Sequence, residues 1–133
     1  KPSDLDITQK LLQYINDNIT GELTAQKVAK ELGISPYYLS HIFSSQLNIS
    51  FPSYVAQQRM ILACNLLKDS RKTVTEISYE CGFPNMRTFH RCFQKRYECT
   101  PTQWRERSHK GTDEKIRHQL WNQEKVESEN SLE

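Results

Sequence analysis

Several things are scarce in this chain, and each shortage removes a class of function. Only four glycines occur in 133 residues, and none belongs to a loop that could cradle phosphate. The four cysteines (Cys64, Cys81, Cys92, Cys99) form no C-x-x-C pair and match no recognised zinc spacing. Cys64, Cys81 and Cys92 fall among apolar positions of helical patterns, where free cysteine behaves as a small hydrophobe. The alternative is a metal site built from Cys81, His90, Cys92 and Cys99, which needs four side chains to converge tetrahedrally. No stretch resembles a signal peptide or is apolar for long enough to span a membrane. A reduced, cytoplasmic setting follows as the default, and nothing in the sequence asks for a cofactor. His41 has Ser40 and Ser44 beside it but no evident carboxylate to orient it, so a catalytic nucleophile is not supported.

Charge of one sign is scarce too. The net charge is only +2, so a polyanionic partner cannot be argued from the total. The distribution is more informative. From Gly82 to Lys110 seven basic residues (Arg87, Arg91, Lys95, Arg96, Arg105, Arg107, Lys110) face two acidic ones, a local charge of +5. From Gly111 onward the local charge is −3. A basic strip ahead of an acidic tail fits a surface for a polyanion.

What is present is a repeat. Leu32-Gly33-Ile34 returns 49 residues later as Cys81-Gly82-Phe83, with Val28-Ala29 matching Ile77-Ser78. At a spacing of 50, Phe43 matches Phe93 and Tyr54 matches Trp104. Two copies are too few for a solenoid, and a tandem pair of helix-turn-helix units is the simplest alternative.

Apolar residues at helical spacing predict a first helix over 5–19, ended by Gly21. Thr24 caps a second helix running to Leu32, Gly33 makes the turn, and Ser35-Pro36 starts the third. On that third helix Leu39, Ile42 and Phe43 share one face, while Tyr37, Ser40, His41 and Ser44 share the other. Asn48 supplies a left-handed C-cap. A connecting helix then covers 53–68, with Val55, Leu62, Ala63, Leu66 and Leu67 on one face. In the second unit Thr73 or Thr75 caps a short helix to Glu80, and Asn85 caps a helix with Phe89, Cys92, Phe93 and Tyr97 inward. Met86, Arg87, His90, Arg91 and Lys95 point the other way. Thr100-Pro101 opens a final helix anchored by Trp104. The expectation is an all-α, seven-helix chain. It comprises a unit at 5–52, a connector at 53–69, a second unit at 70–107, and a polar tail at 108–133. In that tail only Ile116, Leu120 and Trp121 suggest an amphipathic turn, and 124–133 has a disordered composition.

The pattern Ala25…Val28-Ala29…Leu32-Gly33-Ile34-Ser35-Pro36…Leu39…Phe43, then Arg59…Ala63…Leu66-Leu67, then Ile77…Gly82-Phe83…Phe89…Arg91…Phe93…Thr100-Pro101…Trp104-Arg105 resembles the AraC/XylS family of bacterial transcription regulators. The likeness covers 8–107. It implies two helix-turn-helix units that read adjacent turns of the major groove of double-stranded DNA. It further implies RNA polymerase as a partner, and a sensor or dimerisation domain N-terminal to Lys1. Four positions depart from the family pattern. His41 and Ser44 stand where basic residues are usual, Glu98 where glycine is frequent, and Thr88 where an aromatic is frequent.

Within that frame Arg87 and Arg91, one helical turn apart, can reach guanine bidentately together. The plainer alternative is that they are solvated surface charges. Met86 is placed either on a thymine methyl or as a stray surface apolar, and His90 lies beside them. Tyr37, Ser40, His41 and Ser44 would face DNA in the first unit, with docking through phosphate and shape as the alternative. Lys95 and Arg59 are phosphate candidates, Arg59 competing with a role as an internal ion pair that ties the units together. The helix starts at Ser35 and Asn85 offer backbone N–H groups to phosphate. A competing class is a helical module that binds proteins rather than DNA.

Overall fold

The computed structural model describes residues 4–109 and Trp121. The expected tail features at 116, 120 and 124–133 lie outside the described residues, and Trp121 itself is exposed. Among the described residues there are seven α-helices and no strand. They are α1 (Asp4–Asp17), α2 (Ala25–Leu32), α3 (Pro36–Ile42), α4 (Phe51–Asp69), α5 (Val74–Glu80) and α6 (Met86–Tyr97), followed by α7 at residues 101–109. The last turn of α3 widens into a π-helical turn, Phe43–Leu47. The all-α architecture of two helix-turn-helix units stands.

Local chemistry sets the boundaries. Thr24, Ser35, Ser50, Thr73 and Asn85 each precede a helix in extended backbone, and their side chains accept the N–H three residues on. Each such cap is worth about 1 kcal/mol. Thr100 and Gln103 cap α7 reciprocally, hydroxyl to N–H at 3.1 Å and amide oxygen to N–H at 3.0 Å. Two expected boundaries move by two residues. α4 starts at Phe51, and α1, expected over 5–19, stops at Asp17, where the Asn18 N–H reaches the carbonyls of Tyr14 and Ile15 and its side-chain amide donates to Tyr14 as well.

The repeat extends to the caps. α3 with its π turn and α6 end fifty residues apart in left-handed residues, Asn48 (φ 52°) and Glu98 (φ 57°). Asparagine tolerates that conformation, whereas glutamate is strained in it. Glu98→Gly should therefore raise stability by up to about 1.5 kcal/mol in urea denaturation, the relieved strain of about 1–2 kcal/mol less the roughly 0.4–1 kcal/mol that a glycine adds to the freedom of the unfolded chain. An unchanged midpoint would show that the Glu98 side chain repays its strain.

Two cores form. Leu11, Ile15, Val28, Ala29, Leu39, Ile42, Phe43, Phe51 and Val55 make the first; Met60, Ala63, Leu67, Ile77, Cys81, Phe83, Phe89, Phe93 and Cys99 make the second. α4 belongs to both. The expected single apolar face is corrected here: Phe51 and Val55 point one way and Met60, Ala63 and Leu67 the other, about 130° around the helix at 3.6 residues per turn. α4 is thus the last helix of one unit and the first of the next, and Phe51-Pro52, the residues that open it, form its first turn after the Ser50 cap.

Burial, with Glu80 and Cys64 adding to it, pushes the Cys81 thiol up to about 12 against the opposing pull of Arg59. The unfolded thiol titrates near 8.5. A raised acid pKa gives stability that is complete below about pH 8.5 and is lost as pH climbs through about 12. Cys81→Ala should consequently flatten the alkaline fall in urea stability; an identical slope in the variant would assign that fall to other groups.

Candidate nucleic-acid interface

Phe89 and Phe93 are completely buried and fix the rotation of α6 about its axis. Their burial turns Arg87, His90, Arg91 and Lys95 out to solvent. α6 carries no acidic residue, so Arg87, Arg91 and Lys95 form an uncompensated positive strip. Arg96 is withdrawn from the strip, since its guanidinium carbon sits 5.7 Å from the centre of the Tyr97 ring. Asn85 accepts the Thr88 N–H at 2.8 Å, leaving the N–H groups of Met86 and Arg87 at the open helix start.

The equivalent face of α3 is polar and bears no lysine, arginine or carboxylate. Tyr37, Ser40, His41 and Ser44 are all exposed, and Tyr37 is 83% exposed, unusual for an aromatic that serves only packing. Ser44 donates its hydroxyl back to the His41 carbonyl at 3.2 Å, which leaves it mainly an acceptor for an incoming group. Ser35 accepts the Tyr38 N–H at 3.0 Å.

Two expected site residues are placed differently. Met86 is half-buried, and its sulfur accepts a hydrogen bond of 2.9 Å from Ser78, so it leans toward α5 instead of sharing the outward face. Ser78 stands where the first unit has Ala29, and its single hydroxyl proton is shared between the Thr75 carbonyl at 2.7 Å and the Met86 sulfur. Arg59 is turned inward. Its Nε donates to the Ile19 carbonyl at 2.9 Å and a terminal nitrogen to the Gly21 carbonyl at 2.7 Å. The expected internal ion pair is replaced by hydrogen bonds to main-chain carbonyls, with no carboxylate among these partners. Burial lowers its pKa from the ordinary value, with the nearby Cys81 opposing.

Arg105 also leaves the basic strip, donating to the carbonyls of Leu67 at 2.9 Å and Lys72 at 2.6 Å. Cys81 and Cys99 are buried while His90 is exposed, and among the described residues no group of three or more His, Cys, Asp or Glu could hold a metal. Gln94 was missed by the sequence reading. It is exposed two turns beyond Arg87 on the same face, and it is the repeat counterpart of Ser44 fifty residues on; that spacing was the available signal.

Two capped helices with outward polar faces, each set by its own core and joined by a shared helix, define a tandem helix-turn-helix DNA-binding domain. A family model described as a helix-turn-helix domain matches residues 28–107. The chain is 30% identical over 105 residues to the regulatory protein SoxS of Salmonella typhimurium, covering 79% of this chain and 98% of SoxS. It is 35% identical over 107 residues to the uncharacterized helix-turn-helix-type regulator YijO of Escherichia coli, covering 80% of this chain but 38% of YijO. Among solved structures it is similar to the C-terminal domain of the two-component response regulator yesN from Fusobacterium nucleatum. That match has a TM-score of 0.72 and 30% identity, over 75% of this chain and 98% of that one. The chain belongs to the AraC family of helix-turn-helix transcription regulators. Among the described residues no helix is long and apolar enough to cross a membrane.

Proposed function

We propose that this domain reads double-stranded DNA with α3 and α6 in successive major grooves, about one helical turn or roughly 10 bp apart. The observation that carries the reading is the matched presentation of two outward polar faces from equivalent units, one of them bearing an unbalanced basic strip. Arg87, His90, Arg91 and Gln94 supply most direct base contacts, since arginine suits guanine and glutamine suits adenine. Tyr37, Ser40, His41 and Ser44 give weaker or shape-dependent contacts. Lys95 and the helix starts at Asn85 and Ser35 serve phosphate. Arg59 drops out of the contacting set because its Nε and one terminal nitrogen are engaged within the protein, while half-buried Met86 keeps only an apolar edge for a thymine methyl. The two unequal units call for an asymmetric target. In the same reading the domain works in the cytoplasm, alongside RNA polymerase, and under a sensor or dimerisation domain N-terminal to it.

Footprinting on a duplex selected from random-sequence DNA should protect two groove segments, and affinity should fall steeply with salt. Lys95→Ala should weaken all sequences alike and lower the salt slope by about 1. A salt-independent affinity would favour the protein-binding alternative. Protection of a single segment would refute engagement by both units.

A further inference from the structure

The base-reading faces sit on two units whose spacing on DNA must be set by something. α4 provides one connection, and by itself it is an axis. The first core grips it at Phe51 and Val55, the second at Met60, Ala63 and Leu67, and Arg59 lies in the changeover between them. A second connection stands beside that changeover. The Arg59 guanidinium clasps the turn after α1 through the carbonyls of Ile19 and Gly21. The turn of the second unit is pressed against that same loop at Gly82. A side chain there would bring its Cβ within 2.7 Å of the Ile19 carbonyl oxygen, 3.0 Å of Arg59 Nε and 3.1 Å of Thr20 Cα. One arginine and one glycine thereby join loops from both units at a point off the α4 axis.

Beside this point lies an open cleft of about 750 Å³ whose walls come from both units, Tyr37 and His41 on α3 and Thr88 and Cys92 on α6, with Arg59 also lining it. Much of its surface is apolar (Leu23, Phe51, Val55, Phe83). Apolar walls gain by closing together unless something keeps them apart.

We infer that Arg59 and Gly82 form a strut that fixes the angle between the two units before DNA is met, making Arg59 a positioning residue for the spacing of the two sites. The inference rests on the two-groove reading above. With a free hinge, the second unit could follow its site when the spacing changes. With a strut it cannot, and the gain from simultaneous engagement is lost. Arginine suits the role because its rigid planar fork bridges two acceptors at once, which a lysine ammonium on a flexible stem does not.

The test uses the duplex recovered by selection from random-sequence DNA, and the same duplex with two base pairs inserted between the protected segments. The insertion should weaken the parent protein about a hundred-fold. Arg59→Met should bind the original duplex less tightly, but its penalty for the insertion should shrink to under about tenfold. Arg59→Lys should fall between the two. A thermal melt identifies folded variants, and should Arg59→Met fail to fold, Arg59→Lys decides. A parent protein indifferent to the insertion, or a folded variant with the parent's penalty, would overturn the strut. Recovery of no duplex, or of one protected segment, would instead overturn the two-groove reading and the strut with it.

Discussion

The double variant Arg87→Ala, Arg91→Ala is expected to bind the selected duplex at least about a hundred-fold more weakly while keeping its thermal melt close to the parent's. Both side chains are exposed, lie four residues apart, and share a helix with no acidic residue. Truncating them therefore disturbs solvent and DNA, with little effect on the cores. Each bidentate arginine–guanine pair discriminates by about 1–3 kcal/mol. The two losses need not add, because neighbours on one face couple. Loss of sequence preference separates this result from that of Lys95→Ala, where affinity falls without changing which sequence is preferred. Competition titrations with the selected and scrambled duplexes measure both. Specific binding that survives the double substitution would move the reading away from α6.

Gly82→Ala should cost about 2–5 kcal/mol in urea denaturation, while Gly33→Ala at the equivalent turn should cost only about 1–2 kcal/mol. Both glycines are left-handed, φ 85° and 69°, so an L-residue is strained at either. They differ in surroundings. A Cβ at Gly33 meets nothing within 4 Å, whereas at Gly82 it collides with the backbone of Ile19 and Thr20 and with Arg59. The repeat supplies its own control, since the substitution, turn type and flanking helices match. Equal losses at the two sites would mean that the loops of the two units part easily.

Much of the fold was legible because the signals were local. The 49- to 50-residue repeat, the caps at Thr24, Ser35 and Asn85, and the turn glycines each act within a few residues of themselves. Helix periodicity was enough to place Phe89 and Phe93 inward, and so to expose Arg87 and Arg91. What escaped was long-range or double-duty. α4 serves two cores on different faces, so a search for one apolar stripe passed over Met60. The Arg59 partners lie 40 and 38 residues away in sequence and are main-chain carbonyls, which no side-chain pattern marks. Met86, seven residues before Phe93 and four before His90, lies at the border of the inward face, which its half-burial reflects. Gln94 is a neutral amide, so the charge pattern along α6 does not mark it.

The unequal division of labour between the two units is tested most directly by systematic base-pair substitution along the selected duplex, with affinity measured at each position. Penalties of about 1–3 kcal/mol per base pair should cluster in the segment under α6. Substitutions one helical turn away, under α3, should cost well below about 1 kcal/mol each, with the backbone there still protected. Penalties spread evenly over both segments, or concentrated under α3, would contradict it.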